Sequence, residues 1–390
     1  MAITLTLPGE DGTLEPYRMR DNAPLLPAHA APARTRVAYA AAHVVADPLA
    51  PGSPITSTTV DWDATLAYRH HLWDLGLGVA EAMDTAQRGT GLPPDVVPEL
   101  IRRSVRAARD RGAAIACAAA TDSLPPGPAS LEAVVSAYRA QCDMIEDAGG
   151  RVVLMASRQL ATAATGPGDY ERVYGRVLRG LARPAILHWL GPAFDPALAG
   201  YWGSTDVAEA TKVVTSVIED NVDGVDGIKV SLLDAGAEAA LRRAVPASVR
   251  VYTGDDFNYP TLIRGDAERH SDALLGVFDA IAPLAAVALQ ALDEGDADRF
   301  EAVLAPTVPL ARKLFEAPTY HYKTGIVFLA FVRGFQTHFR MVAGMESARS
   351  AVHLAAVFRL ADQAGLFPDP ELAADRMRGV MALAGVTERR

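Results

Sequence analysis

From residue 36 onward the chain keeps one rhythm: a short run of small or β-branched residues, a loop, then a longer stretch with apolar residues three and four apart. This alternation predicts βα units, because strands separated by helices pair in parallel. The strand candidates are residues 36–45, 78–84, 113–119, 151–157, 184–190, 224–230, 249–253 and 273–278. Between them the periodicity predicts helices, among them 94–111 with prolines in its opening turn, 131–148 stopped by Gly149-Gly150, and 205–219 capped by Ser204 or Thr205. Eight strands alternating with helices over roughly 240 residues match the repeat number and span of a (β/α)8 TIM barrel. No Gly-rich phosphate loop follows the first strand candidate, which argues against an open dinucleotide-binding sheet.

The flanks differ from this core. Residues 1–35 carry Pro8, Pro16, Pro24, Pro27 and Pro32 with no sustained hydrophobic period, and predict an extended N-terminal arm laid over a barrel end or a neighbouring subunit. After residue 280 the strand signals stop, and 309–315, 324–343, 348–364 and 370–384 read as helices. The expected division is therefore an arm at 1–35, a barrel at 36–285 and a C-terminal helical extension at 286–390.

Charge and composition narrow the partners. Half the residues are hydrophobic and 22% are charged, the balance of a chain with a substantial core. A net charge of −10 with scattered Lys and Arg excludes a phosphate-backbone footprint, so nucleic acid is not expected as a partner. The apolar runs fall far short of the ~20 residues of a membrane span, and no basic-then-apolar leader opens the chain. The two cysteines, Cys117 and Cys142, belong to no CxxC or Cys/His cluster, which fits a cytoplasmic protein.

The sharpest local feature is Gly227-Ile228-Lys229-Val230-Ser231, a lysine inside an apolar strand candidate. Strand ends at the C-terminal face of a barrel line its active site, and an ammonium desolvated there loses pKa and becomes a nucleophile toward carbonyls. A lysine snorkelling to the rim, or paired with Asp223 or Asp226, is the structural alternative. In the next strand, Tyr252-Thr253-Gly254-Asp255-Asp256 brings a glycine turn and an acid pair to the same mouth; capping of a following turn is the alternative role for these acids.

These two segments, with the helix-rich stretch 288–300 behind them, resemble the dihydrodipicolinate synthase / N-acetylneuraminate lyase superfamily, in a divergent branch catalogued as a domain of unknown function. Ala148-Gly149-Gly150 to Met155 resembles that superfamily's entry into strand four, and Arg183-Pro184-Ala185-Ile186-Leu187-His188-Trp189 its strand five. The resemblance runs over roughly residues 36 to 340. It implies a barrel with a helical C-terminal region and a Schiff-base lysine on the sixth strand, which falls on Lys229. It also implies a homodimer or homotetramer.

The departures are as informative. Where the superfamily places a relay tyrosine on strand five, His188 stands, a candidate acid/base, followed by Trp189. Its carboxylate-holding Gly-Thr-Thr-Gly-Glu becomes Met83-Asp84-Thr85-Ala86-Gln87: Thr85 keeps the relay position, while Asp84 sets a carboxylate where a substrate carboxylate would lie. After strand four, Arg158 offers a fork for an anion. The expected catalytic residues are Lys229, His188 and Thr85, with Asp84, Gln87, Arg158, Trp189, Tyr252, Gly254 and Asp255 lining the pocket; Tyr201 and Trp202 are expected in the core.

The expected function is a Schiff-base lyase or aldolase acting on a small-molecule carbonyl compound, a sugar or sugar-acid derivative among the candidates, with no cofactor beyond the imine. Two alternatives stay open. N/O ligands at the mouth, His43, Asp84 and His188 with Asp47 near the first, would hold a divalent metal in an isomerase or lyase acting on a polyol or keto-sugar. A barrel that binds without catalysing is the other.

Overall fold

Eight short strands form because small and β-branched residues leave both strand faces free to be buried, as a barrel core on one side and a helix layer on the other demand. The computed structural model describes residues 3–21, 26–56 and 59–386. Within them the barrel strands are β3 (Ala38–Ala41), β4 (Gly78–Glu81), β5 (Ile115–Ala119), β6 (Arg151–Leu154), β7 (Ala185–Leu190), β8 (Val225–Ser231), β9 (Arg250–Thr253) and β10 (Asp272–Leu275). All run parallel, each beside its neighbour in sequence, and β10 closes on β3. The expected TIM barrel is the observed one, with every strand candidate occupied.

The chain packs as two compact units. One, Arg34–Ala42 with Gly78–Gly276, holds the whole barrel. Its core is a small-residue layer, Ala41, Ala80, Ala116 and Ala118, filled in by Tyr39, Met83, Val153, Met155, Ile186, Tyr252 and Leu274. Its helices have the expected stops and starts: Leu131–Ala148 is capped by Ser130 and ends at Gly149 with φ +95°. The helix Val207–Glu219 is capped by Asp206, whose side chain accepts from the amides of Ala208 and Glu209, and not by Ser204 or Thr205. A carboxylate one or two residues closer to the helix also meets its dipole, which a hydroxyl does not.

The other unit joins Met1–Ala33, His43–Leu77 and Val277–Arg390. Here the segment expected as an extended arm folds back on itself: β1 (Thr4–Pro8) pairs antiparallel with β2 (Leu14–Arg18). The turn is held by Asp11, which accepts from the Thr13 amide and hydroxyl at 2.9 and 2.6 Å. Tyr17 donates to Asp362 at 2.7 Å, fastening the hairpin to the helix Ala351–Gln363. Only Leu5 and Leu7 alternate inward, too short a period to show in the sequence. The part of the arm at 22–25, Pro24 included, lies outside the described residues.

The helix expected over 324–343 stops at Val332. Gly334 takes φ +95°, and the amides of Gly334 and Phe335 turn back to the carbonyls of Phe331 and Ala330. Phe328, Phe331, Phe335 and Phe339, which stand at helical spacing in the sequence, are therefore not one helical face; Phe339 returns to stack on Phe331 at 14°. Among the described residues no helix is long and apolar enough to cross a membrane.

Candidate active site

Register and alternation decide what β8 presents to the barrel interior. Gly227, Lys229 and Ser231 share one face, in register with Ile186, His188 and Leu190 of β7; Ile186 belongs to the barrel core, so this face points inward. A Cβ on Gly227 would come within 2.7 Å of Tyr252 Cε2, so the missing side chain makes room for that ring. Above this level Lys229 is 4% exposed. At the next level, a Cβ on Gly254 would fall 2.2 Å from Ser231 Oγ and 2.8 Å from Lys229 Cε. Glycine at 254 is the condition for the lysine stem to lie where it does.

Burial lowers the Lys229 pKa from its ordinary value, and the carboxylates of Asp84 and Asp256 partly oppose that shift. Asp84 opens a tight turn, Asp84–Ala86, after β4, with Thr85 buried beside it and Gln87 closing the turn at φ +61°. Asp256 is buried in the loop after β9.

His188 is fully buried. Its Nδ1 faces Met155 Sδ at 3.2 Å and its Nε2 faces Ser231 Oγ at 3.1 Å. A thioether accepts and does not donate, so the ring proton sits on Nδ1 and Nε2 accepts the Ser231 hydroxyl. Burial, aided by the nearby Lys229 charge, holds the His188 pKa well below its ordinary value. The imidazole is therefore a neutral acceptor and does not titrate near pH 7 as its sequence position suggested.

The structure thus brings together Lys229, His188, Asp84 and Gly254 of the expected set, with Thr85 and Gln87 on the Asp84 turn. Four expected pocket residues sit elsewhere. Tyr252 lies in the barrel core and donates to Asp226 Oδ2 at 2.6 Å, a carboxylate that also pairs with Arg151; the ring reaches back along β8, away from Lys229. Asp255 caps its own loop, accepting from the amides of Phe257 and Asn258 and the Asn258 side chain. Trp189 alternates with His188 on β7 and so faces the opposite side of the sheet. Arg158 is half-exposed, its Nε 2.5 Å from Asp195 Oδ2. Tyr201 and Trp202 are in an aromatic core with Tyr170 and Tyr174, as expected.

Two residues carry more than the sequence reading gave them. Ser231 was visible two positions after Lys229, the spacing that shares a strand face, and Asp256 was the second of the acid pair. In the other unit both nitrogens of His43 are engaged, Nδ1 with Asp279 at 2.9 Å and Nε2 with Gln336 at 3.1 Å. Among the described residues no three His, Cys, Asp or Glu side chains form a group that could hold a metal.

A closed parallel barrel of this order is the fold of the dihydrodipicolinate synthases. The chain is similar in structure to a candidate dihydrodipicolinate synthetase from Pseudomonas aeruginosa, with 13% identity, TM-score 0.62, and 83% of this chain and 99% of that one covered. It is similar also to dihydrodipicolinate synthases from Bacillus anthracis (15%, 0.60, 90% and 98%) and Aquifex aeolicus (15%, 0.58, 91% and 100%). No curated protein sequence matches it. The chain belongs to the family described as protein of unknown function DUF993, whose model matches residues 5–386.

Proposed function

We propose that this protein is a Schiff-base lyase of the aldolase kind, acting on a small carbonyl compound such as a sugar or sugar-acid derivative. The observation that carries this reading is Lys229, an amine on the inner face of the sixth barrel strand whose pKa burial lowers toward the neutral, nucleophilic form. The fold shared with dihydrodipicolinate synthases is consistent with it.

In this mechanism the neutral Nζ of Lys229 adds to the carbonyl carbon, and the carbonyl oxygen takes up a proton. A second proton on that oxygen lets it leave as water, giving the iminium. A hydroxyl on the carbon β to the iminium carbon then loses its proton and the Cα–Cβ bond breaks, its electron pair moving into the iminium to leave an enamine and a first carbonyl product. The enamine carbon is protonated, and water adds to the iminium so formed to release the second product and restore the amine. Ser231, its own proton held toward His188, turns its lone pairs to Lys229 and accepts the proton that the attacking nitrogen gives up. Asp84 and Asp256 stabilise the charged nitrogen once it forms.

Borohydride reduction in the presence of keto and aldehyde compounds tests this. A stable mass increase mapping to Lys229 is the expected result; a panel of carbonyl compounds that leaves no adduct on Lys229 overturns the covalent mechanism. We also propose a homodimer or homotetramer, in keeping with the exposure of Leu14 (53%) and Leu383 (89%); light scattering giving the monomer mass of 41.3 kDa rejects it.

A further inference from the structure

Residues 335–341 belong to no helix or strand, and left-handed backbone bounds them at both ends. Gly334 takes φ +95° before them, and Ala343 and Gly344 take +58° and +68° after them. A few positions of this kind are where a segment can hinge. Side chains hold the segment down in place of a backbone ladder. Gln336 donates its side-chain amide to the His338 carbonyl at 2.7 Å, which turns Oε1 to His43 Nε2 at 3.1 Å, and its backbone carbonyl accepts from Arg376 at 2.7 Å. Both ring nitrogens of His43 face acceptors, Asp279 and Gln336, so acid leaves this contact intact. Glu346 accepts from the Arg340 guanidinium at 2.8 Å and from the Met341 amide at 3.0 Å.

Two other contacts are sensitive to acid. The Phe335 ring lies 4.1 Å from the His71 ring and 4.8 Å from the Arg333 guanidinium, with Tyr68 edge-on at 5.6 Å. His71 Nε2 is buried with no hydrogen-bond partner among the described residues, so a charged N–H placed there would have nothing to donate to. Burial and the Arg333 charge lower the His71 pKa from 6.5 to about 4, against the carboxylates of Asp279 and Asp74. Within the segment, His338 Nδ1 accepts from the Arg340 amide at 3.1 Å, and a proton on that nitrogen breaks the bond. Burial lowers the His338 pKa against Asp61, Asp47 and the Ala46 backbone, and Arg340 adds to the lowering.

We propose that residues 335–341 are a strap that acid releases, hinged at Gly334 and at Ala343-Gly344, with His71 as its proton sensor. Release withdraws Phe335 from His71 and lets the imidazole take up its proton in water. It also opens a cavity of about 240 Å³, because Arg340 and Met341 supply one wall of it and the loop from Ala46 to Pro54 the other. The device is independent of the imine at Lys229.

Hydrogen exchange of the full chain at pH 8 and pH 5, read by peptide mass and corrected for intrinsic exchange, tests this. The hydrogen-bonded amides of Phe335, Arg340 and Met341 report the strap, and peptides covering β5 and β7 report the barrel. Strap protection should fall by about thirtyfold from pH 8 to pH 5, the proton uptake of one such histidine on release, while barrel protection holds. His71→Phe keeps a ring against Phe335 and removes the titration, and should shrink that fall by at least about tenfold. Strap protection that does not fall in the wild type, falls equally in the barrel, or falls as far in His71→Phe overturns the proposal. Where His71→Phe does not fold, proton NMR of the His71 ring in the wild type replaces it: a midpoint below 6.5 is expected, and one at 6.5 or above overturns the sensor.

Discussion

His188 accepts the hydroxyl of Ser231 across 3.1 Å inside the barrel, and this pairing follows from strand register alone. His188 pairs with Lys229 across the β7–β8 ladder, so Ser231, two residues on, lies one level nearer the mouth on the same inner face. With Met155 holding Nδ1, the imidazole has one orientation and one tautomer. A neutral histidine that only accepts fixes the serine proton toward itself and turns the Ser231 lone pairs to the Lys229 side. The histidine's contribution is therefore made through Ser231.

Ser231→Ala should leave His188 Nε2 buried without a donor, costing about 1–3 kcal/mol of stability. It should also slow imine formation at Lys229. Chemical denaturation measures the first and the time course of borohydride trapping the second. An unchanged trapping rate in a destabilised protein would make the pair structural.

Gly254→Ala adds a methyl group 2.2 Å from Ser231 Oγ and 2.8 Å from Lys229 Cε. The lysine stem must move or β9 must shift, at about 1–3 kcal/mol for an overpacked site. The expected outcome is a protein that still melts cooperatively but traps carbonyl compounds at least about tenfold more slowly, since ~1.4 kcal/mol of lost positioning is already a factor of ten. Wild-type trapping by this variant would place Lys229 free of the contact.

The barrel was legible because its signal is repeated: eight strand candidates found eight strands, and one uncertain segment could not hide the rest. The place of Lys229 on a barrel strand was legible because a lysine inside an apolar run stands out from its neighbours. What stayed hidden depended on which way a side chain turns. Tyr252 reads as a mouth residue until Gly227 is seen to vacate the space its ring fills, and Asp255 and Asp256 are indistinguishable until one is found capping Asn258. Trp189 borrowed its expected role from His188, yet neighbouring residues on a strand face opposite ways. The hairpin at 4–18 escaped because its buried face consists of Leu5 and Leu7.

Lys229→Ala should abolish adduct formation while the far-UV circular dichroism stays that of the wild type, because the strand's hydrogen bonds are made by backbone. In the wild type, adduct yield against pH should rise with an inflection below 10.5, the ordinary lysine value, since burial lowers the pKa. An inflection at 10.5, or an adduct surviving in the variant, would assign the chemistry to a surface lysine.

Glu238, on the helix Ala235–Ala244 behind the barrel wall, predicts how stability depends on pH. It is fully buried, accepts from Ser271 at 2.7 Å, and has Asp255 and Arg242 as charged neighbours. Burial pushes its pKa up from 4.5 to about 8. Between those two values the folded chain holds a proton that the unfolded chain has released. Stability therefore falls as pH rises through this window and levels off above it, the reverse of an ion-paired carboxylate. Glu238→Gln keeps an acceptor for Ser271 and removes the titration. Its Tm should exceed that of the wild type by a margin that grows from about pH 5 to about pH 8, as followed by thermal melts across that range. A constant margin would mean that Glu238 is ionised in the folded protein throughout.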